Sequence, residues 1–214
     1  MPTLVLATGN PGKVREFAAA LAELALEIVP QSAFGAPEVA ETGLSFVENA
    51  LLKARNAAHH TGLPALADDS GLVVDALGGA PGIHSARYAG PGADDCANIA
   101  KLLRELRDVV PEKRTASFVC ALTLLRHPAD PLPLIALGTW EGRIALEPRG
   151  TSGFGYDPVF LPFGATGNTA AELELRVKNR LSHRGQALLA LRHQLRDLPG
   201  GWATATTAPW SAIA

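Results

Sequence analysis

Two adjacent acids, Asp68 and Asp69, lie between two apolar runs of the chain and are the first residues that suggest chemistry. Adjacent carboxylates at the edge of a buried sheet lose hydration and repel each other, so a nearby cation would stabilise them. Mg²⁺ suits this position, because it takes one or two protein carboxylates and fills its remaining positions with water and substrate phosphates. The other interpretation is an acidic turn whose carboxylates accept backbone N–H bonds, and the Asp-Asp-Ser-Gly sequence alone favours it.

A glycine loop near the N-terminus carries a second signal. Its residues are Thr8, Gly9, Asn10, Pro11, Gly12 and Lys13. An apolar run precedes the loop and residues with helical spacing follow it, so backbone N–H groups, a helix N-terminus and a lysine charge all favour phosphate binding. The loop is not a Walker P-loop, because Ala7 stands in place of the first glycine of that motif and Val14 follows the lysine. A plain strand-to-helix turn with a surface lysine fits the pattern equally well.

A second acid and a second lysine accompany a predicted helix. Ser45 and Glu48 form a capping box, which predicts that the helix begins there, and Glu41 lies just outside its N-terminus. On the helix, Asn49 and Lys53 share a face one turn apart. Taken singly, Glu41 fits a solvated loop and Lys53 fits a surface lysine. An acid and a lysine are nevertheless what a site for a metal-bound triphosphate needs.

Two segments in the C-terminal half have residues suited to binding a base. The stretch 150–157 contains three closely spaced glycines and two aromatic residues ahead of a predicted strand, and these aromatics either stack on a base or cap the core. It lacks the G-x-G-x-x-G order of a dinucleotide fingerprint. Further along, Ser182 stands where an N-cap is expected, which puts His183 and Arg184 in the first turn of a helix. Cations in the first turn interact unfavourably with the helix dipole unless an anion or a polar ligand compensates. Their presence here indicates a ligand-binding site.

The elements that position these residues follow from apolar periodicity and turn signals. The predicted strands cover 4–7, 26–30, 116–125, 132–138 and 140–144, and the stretch 66–75 is predicted to be a strand, a turn and a second strand. The predicted helices follow Lys13, run from Ser45 to about His60, cover 94–106 and 169–178, and begin after Ser182. The helix over 94–106 carries its leucines on one side and is expected to be purely structural.

Composition excludes several classes of protein. The chain has 214 residues, of which 47% are hydrophobic, so a globular protein with a buried core is predicted. A formal net charge of −2 argues against a general nucleic-acid binder, which needs a broad cationic surface. Cys96 and Cys120 form no C-x-x-C pair, which fits a reducing cytoplasm. The N-terminal segment has no basic region and becomes polar by Thr8, so neither a signal peptide nor a membrane span is expected there.

In this order and spacing, the motifs resemble the inosine triphosphate pyrophosphatase family, whose members act on noncanonical purine nucleoside triphosphates. The matching segments are Thr8–Lys13, Glu41–Gly43 with Glu48–Ala50 and Lys53–Ala54, Ala67–Leu72, Gly79–Gly82 with Ser85–Tyr88, Gly153–Pro158 and Ser182–Arg184. The resemblance implies an α/β fold, with an elongated mixed β-sheet, flanking helices and two lobes around a central cleft. We expect one pyrophosphatase domain over 1–198 and a C-terminal tail over 199–214 that packs on the body or on a partner chain.

The resemblance also implies an activity, which is hydrolysis of ITP, dITP and XTP to the monophosphate and diphosphate with Mg²⁺ as the cofactor. By resemblance, Asp69 is the proton acceptor and a metal ligand, Glu41 is a further metal ligand, and Asp68 supports the site. The implied substrate-binding residues are Thr8, Gly9, Asn10, Pro11, Gly12, Lys13 and Lys53 for the triphosphate, Phe154 for stacking, Tyr156 and Asp157 for the pocket wall, Lys178, His183 and Arg184 for polar contacts, and also Ser70 and Gly155. A cytoplasmic homodimer that keeps deaminated purines out of nucleic acids is expected, with neither nucleic acid nor membrane as a partner.

Two departures from the family pattern and two rival functions stay open at this point. The tail over 199–214 runs past the usual end of the family. Arg176-Val177-Lys178 replaces the acid that commonly precedes the lysine in this family, which affects the expected helix surface more than the role of the lysine. The first rival is a pyrophosphatase for other nucleotides, such as the Maf-type enzymes that act on dTTP and UTP. The second is a regulator that binds a purine triphosphate without hydrolysing it.

Overall fold

A mixed β-sheet is the centre of the fold. The computed structural model describes residues 2–24 and 26–198, apart from the side chain of Pro11. Its strands are β1 (Thr3–Leu6), β2 (Glu27–Pro30), β3 (Ala65–Val74), β4 (Thr115–Leu125), β5 (Leu134–Ile144) and β6 (Phe160–Pro162). They form one sheet in the order β2-β1-β3-β4-β5-β6, in which β1 runs parallel to β2 and β3 while β6 runs antiparallel to β5. This sheet and its helices confirm the predicted α/β class.

The helices begin where the local sequence supplies a cap. They are α1 (Pro11–Leu21), α2 (Phe46–Thr61), α3 (Asp95–Glu105), α4 (Leu175–Leu181) and α5 (His183–Arg196). The hydroxyl of Ser45 accepts from the backbone N–H of Glu48, and that of Ser182 accepts from Gly185, so both predicted N-caps are confirmed. Within the described part of the chain, no helix is long and apolar enough to cross a membrane.

The acidic stretch is one uninterrupted strand, so the predicted strand, turn and strand over 66–75 is wrong. β3 is continuous from Ala65 to Val74, and both Asp68 and Asp69 are buried within it. A turn would have exposed these acids, but lysines from elsewhere in the chain compensate their charges, so the strand continues through them. β5 is likewise continuous through Gly138, where the sequence predicts two separate strands over 132–138 and 140–144.

The helix predicted over 169–178 is also wrong. A short 3₁₀ helix covers Ala170–Glu172, and α4 begins only at Leu175. Thr169 and Glu172 form a closed capping box around the 3₁₀ helix, and the backbone of Leu173 is extended, with ψ at 146°. The capping box therefore starts a single turn rather than the long helix that the sequence predicts.

Contacts between residues divide the chain into two compact units. The first takes its described residues from the ranges Met1–Asp69, Ala121–Leu137 and Ala187–Ala214, and the second takes them from Ser70–Cys120 and Gly138–Gln186. Val5, Ala54, Ala57, Ala65 and Leu125 belong to the core of the first unit, and Leu72, Leu102, Phe118, Trp140 and Phe160 belong to that of the second. The predicted domain limits and cleft stay predictions, and the tail over 199–214 lies outside the described residues.

A buried ion pair shapes the connection between β4 and β5. Asp130 is 1% exposed, and it accepts from the guanidinium of Arg126 at 2.8 Å and from the backbone N–H groups of Arg126 and Leu132, both at 3.0 Å. Burial alone would raise the pKa of Asp130, but these hydrogen bonds outweigh it and hold the pKa below its ordinary value. The ionised carboxylate therefore stabilises the folded chain.

We expect Asp130→Asn to lower the free energy of unfolding at pH 7 by about 1–3 kcal/mol, because a hydrogen-bonded charge is lost. Since the folded pKa lies below the unfolded value of about 3.9, this contribution is complete above about pH 5 and is lost as pH falls through the folded pKa. Urea unfolding at pH 7 and pH 3 tests this, with Asp108→Asn as control. Arg107 and Asp108 form an ion pair with side chains 74% and 86% exposed, so the control is expected to change little at either pH.

Candidate active site

Three acids and two lysines of the first unit form two neighbouring sets of ion pairs, which together we call the acid–lysine group: Lys13, Glu41, Lys53, Asp68 and Asp69. The Nζ of Lys13 lies 2.9 Å from both carboxylate oxygens of Asp68. The Nζ of Lys53 lies 2.8 Å from Oδ1 of Asp69 and 2.9 Å from Oε1 of Glu41. Successive side chains of a strand point to opposite faces, so each acid of β3 meets a lysine from a different helix.

Burial sets the proton affinities of this group. It raises the pKa of Asp69 above its ordinary value, the charges of Glu41 and Asp68 add to the rise, and Lys53 opposes it. Burial would lower the pKa of Lys53, but the carboxylates of Asp69, Asp68 and Glu41 together outweigh it and raise that pKa. Lys53 therefore stays charged, and Asp69 is a carboxylate with increased affinity for a proton, as a general base requires.

Asn49 and Gly43 bring the segment that carries Glu41 against α2. The buried side chain of Asn49 accepts from the backbone N–H of Gly43 at 2.8 Å, and its Nδ2 lies 3.5 Å from Oδ2 of Asp69. A Cβ at Gly43 would lie 2.6 Å from Cβ of Glu48, so the close approach requires glycine. Sequence reasoning does not assign a role to Asn49, and its only signal is the helix face that it shares with Lys53.

The donor set of the acid–lysine group fits Mg²⁺. Oxygens of Asp69 and Glu41 both face one point, which the Nζ of Lys53 occupies. Among the described residues, no group of three or more His, Cys, Asp or Glu side chains is arranged to hold a metal. Two converging carboxylates, with water and phosphate oxygens completing the shell, are what Mg²⁺ accepts, whereas a site made only of protein ligands is not present in that part of the chain.

The glycine loop is organised by Asn10, which is the N-cap of α1. Its Oδ1 accepts from the backbone N–H groups of Gly12 and Lys13 at 2.8 and 3.2 Å, and its own N–H donates to the hydroxyl of Thr8. Pro11 occupies the first helical position, where its missing N–H is tolerated. A Cβ at Gly9 would lie 2.9 Å from Oε1 of Glu38. Two of the amides predicted to bind phosphate are thus held by Asn10, and phosphate binding by this loop stays a prediction.

In the second unit, residues 153–157 form what we call the aromatic loop. The side chain of Phe154 is 55% exposed, and its ring centroid lies 5.0 Å from Nζ of Lys178 and 5.7 Å from Cζ of Arg184. Asp157 is buried and accepts from Nζ of Lys178 and, at 2.8 Å, from the N–H of Phe154. A Cβ at Gly153 would lie 2.1 Å from that carboxylate, so only glycine fits there. An exposed ring flanked by two cations is suited to stacking with a polar, electron-poor base.

Two residues predicted to face the base have buried side chains. Tyr156 is buried and donates from its hydroxyl to the carbonyl of Ser85 at 2.9 Å. His183 is buried and stacks on Phe118, with ring centroids 4.8 Å apart. These side chains support the loop and the start of α5 from the core, and their predicted contacts with the base stay predictions. Ser70, which follows Asp69 in β3, is the first residue of the second unit.

The chain is similar over nearly its whole length to a family of proteins, and two of its relatives carry one and the same name. A model of the Ham1 family matches residues 4–194. A protein of Xanthomonas campestris pv. campestris (strain 8004) named dITP/XTP pyrophosphatase is 60% identical over 198 residues, covering 92% of this chain and 99% of that protein. A protein of Thioalkalivibrio sulfidiphilus with the same name is 61% identical over 193 residues, covering 90% of this chain and 98% of that protein.

Solved structures agree with these matches. A HAM1 protein from Coxiella burnetii has a TM-score of 0.87 and 49% identity, covering 92% of this chain and 100% of that chain. The Ham1 protein of Staphylococcus aureus has a TM-score of 0.82 and 38% identity, covering 91% and 98%. The resemblance drawn from the sequence motifs is thereby confirmed. The chain belongs to the Ham1 family.

Proposed function

We propose that this protein hydrolyses the noncanonical purine nucleoside triphosphates ITP, dITP and XTP to the monophosphate and diphosphate. The observation that carries the proposal is the acid–lysine group, in which oxygens of Asp69 and Glu41 converge on the Nζ of Lys53 and Lys13 pairs with the adjacent Asp68. Relatives about 60% identical to this chain are named dITP/XTP pyrophosphatase, which supports the same activity here. The exposed ring of Phe154 supports recognition of a base.

Asp69 and Glu41 are the residues that we propose to hold Mg²⁺. When bound, the ion lowers the pKa of its water and neutralises charge on the phosphates. Asp69 orients the attacking water toward the α-phosphorus and accepts its proton, for which its raised pKa suits it. Lys13 and Lys53 offset the charge of the departing diphosphate, so each must exchange its carboxylate partner for a phosphate oxygen.

Discrimination between bases follows from hydrogen-bond donors. Hypoxanthine and xanthine present the O6 atom as an acceptor, where adenine presents an amino donor. Lys178 and Arg184 carry only donors and lie beside the Phe154 ring, so they can pair with O6 but not with the amino group of adenine. Guanine also carries O6, so its 2-amino group must be refused by the shape of the site or by a lack of acceptors.

A homodimer in the cytoplasm is the second part of the proposal. Ile135 and Leu137 point outward from β5 and are exposed, which supports burial of this strand against another copy. Light scattering of the purified chain tests this, and a monomer mass at micromolar concentration would contradict it. Neither Cys96 nor Cys120 forms a disulfide, which supports a reducing compartment.

The activity test is release of diphosphate, as against single phosphate, from ITP, dITP, XTP, GTP, ATP and dTTP, with and without Mg²⁺. We expect diphosphate from the first three nucleotides, little from the others, and none without the ion. Turnover of dTTP would favour the Maf-type alternative. Tight binding of ITP without turnover would favour the regulator.

A further inference from the structure

We propose that Asp95 is a positioning residue for base recognition, because its carboxylate fixes the peptide between Phe154 and Gly155. This inference rests on the proposed function. The backbone N–H of Gly155 donates to Oδ2 of Asp95 at 2.6 Å, across 60 positions of sequence. The sequence predicts that the helix carrying Asp95 is purely structural, and the proposed role goes beyond that prediction.

Two carboxylates hold the two amides that flank the side chain of Phe154. Asp157 accepts from the N–H of Phe154 itself, and Asp95 accepts from the N–H that follows it. Gly153 and Gly155 both lie in the left-handed region, with φ at 83° and 60°. Glycines with this freedom do not define the direction of the Phe154 ring by themselves, and the two carboxylates fix the peptides on either side of it.

Asp95 itself stands on an anchored helix. The buried Asn98, one turn later in α3, accepts from the N–H of Ala89 at 2.8 Å and donates to the carbonyl of Ala86 at 3.2 Å. The Nζ of Lys101 donates to the carbonyl of Tyr88 at 2.8 Å. The N-cap of α3 is Asp94, whose side chain accepts from Ala97, so the carboxylate of Asp95 is not needed to cap the helix.

A defined direction of the Phe154 ring should matter for binding and not for the chemical step. Without Asp95 the Phe154–Gly155 peptide can rotate, so the base must order the ring when it binds. The acid–lysine group belongs to the first unit and makes no use of Asp95. We therefore expect Asp95→Ala to raise KM for XTP and dITP about tenfold, with kcat within about twofold of the wild type.

Matched variants separate positioning from a general structural effect. Asp95→Asn keeps an oxygen acceptor for Gly155, so its KM should lie between that of Asp95→Ala and that of the wild type. Asp94→Asn removes a charge from the same helix end and keeps a good N-cap, and the side chain of Asp94 accepts from Ala97 of its own helix, so the KM of this variant should stay unchanged. Competitive inhibition by inorganic diphosphate should be equal in all of these proteins, and the thermal midpoint of Asp95→Ala should match that of Asp94→Asn.

An unchanged KM in Asp95→Ala would overturn the proposal, as would an equal rise in Asp94→Asn, a fall in kcat alone, or a matching change in diphosphate inhibition. Failure of the proposed function is distinguished from this, because the wild-type chain itself would then release no diphosphate from XTP or dITP.

Discussion

An Asp69→Asn variant is expected to lose about 10²- to 10⁴-fold in kcat for XTP and dITP, which is the range for loss of a general base. The amide has the shape of the carboxylate but neither accepts a proton nor carries the charge. Steady-state and single-turnover release of diphosphate measure the effect. Asp75→Asn is the matched control, because Asp75 follows β3 and accepts from the hydroxyl of Thr115, and this variant should keep full turnover.

The same variant should retain or exceed the stability of the wild type at pH 7. Burial raises the pKa of Asp69, so the folded chain holds its ionised form at a cost that the amide does not carry. Because the folded pKa is raised, the wild type loses stability as pH rises through that pKa. The free energy of unfolding of the variant should therefore increase relative to that of the wild type with rising pH. If Asp69→Asn kept more than about a tenth of wild-type kcat, proton acceptance would belong to another group.

Gly185→Ala is expected to lower the free energy of unfolding by about 3 kcal/mol, at the upper end of the range for overpacking. A Cβ at this position would lie 1.9 Å from the carbonyl oxygen of Asn179, a backbone atom that cannot rotate away. The start of α5 and the end of α4 would have to separate. The direction of the effect is diagnostic, because glycine to alanine within a helix otherwise stabilises by up to about 1 kcal/mol.

Gly62→Ala is the control for this substitution. Gly62 ends α2 with φ at 66°, and no atom lies within 4 Å of the position that a Cβ would take, so alanine there meets only backbone strain of about 1 kcal/mol. Urea unfolding of both variants makes the comparison. If Gly185→Ala lowered the free energy of unfolding no more than Gly62→Ala does, the fold would not require the close approach to Asn179.

Local signals in the sequence predict much of the fold. The capping residues Ser45 and Ser182 act within a few positions of themselves, so the starts of α2 and α5 can be placed without tertiary information. The prediction for the acids of β3 is wrong because their partners are distant in sequence. Lys13 and Lys53 come 55 and 16 positions earlier, and no local pattern shows that they neutralise Asp68 and Asp69.

The candidate site also has parts that the sequence predicts and parts that depend on tertiary packing. The order of motifs indicates which side chains to consider, including Glu41, Lys53 and Phe154. It does not indicate that Lys53 bridges two acids, or that Asp95 holds the peptide after Phe154, because both facts depend on side-chain directions set by tertiary packing. Asp95 leaves one trace in the sequence, since two successive acids begin a helix that needs only one N-cap.

The lysines of the acid–lysine group have a consequence for how the protein matures. In proteins whose metal alone compensates a cluster of ligands, folding waits for the ion, and chelators unfold the chain. Here the ammonium groups of Lys13 and Lys53 act as built-in counter-ions for Asp68, Asp69 and Glu41. A newly synthesised chain can therefore complete its fold with no cation bound at these acids.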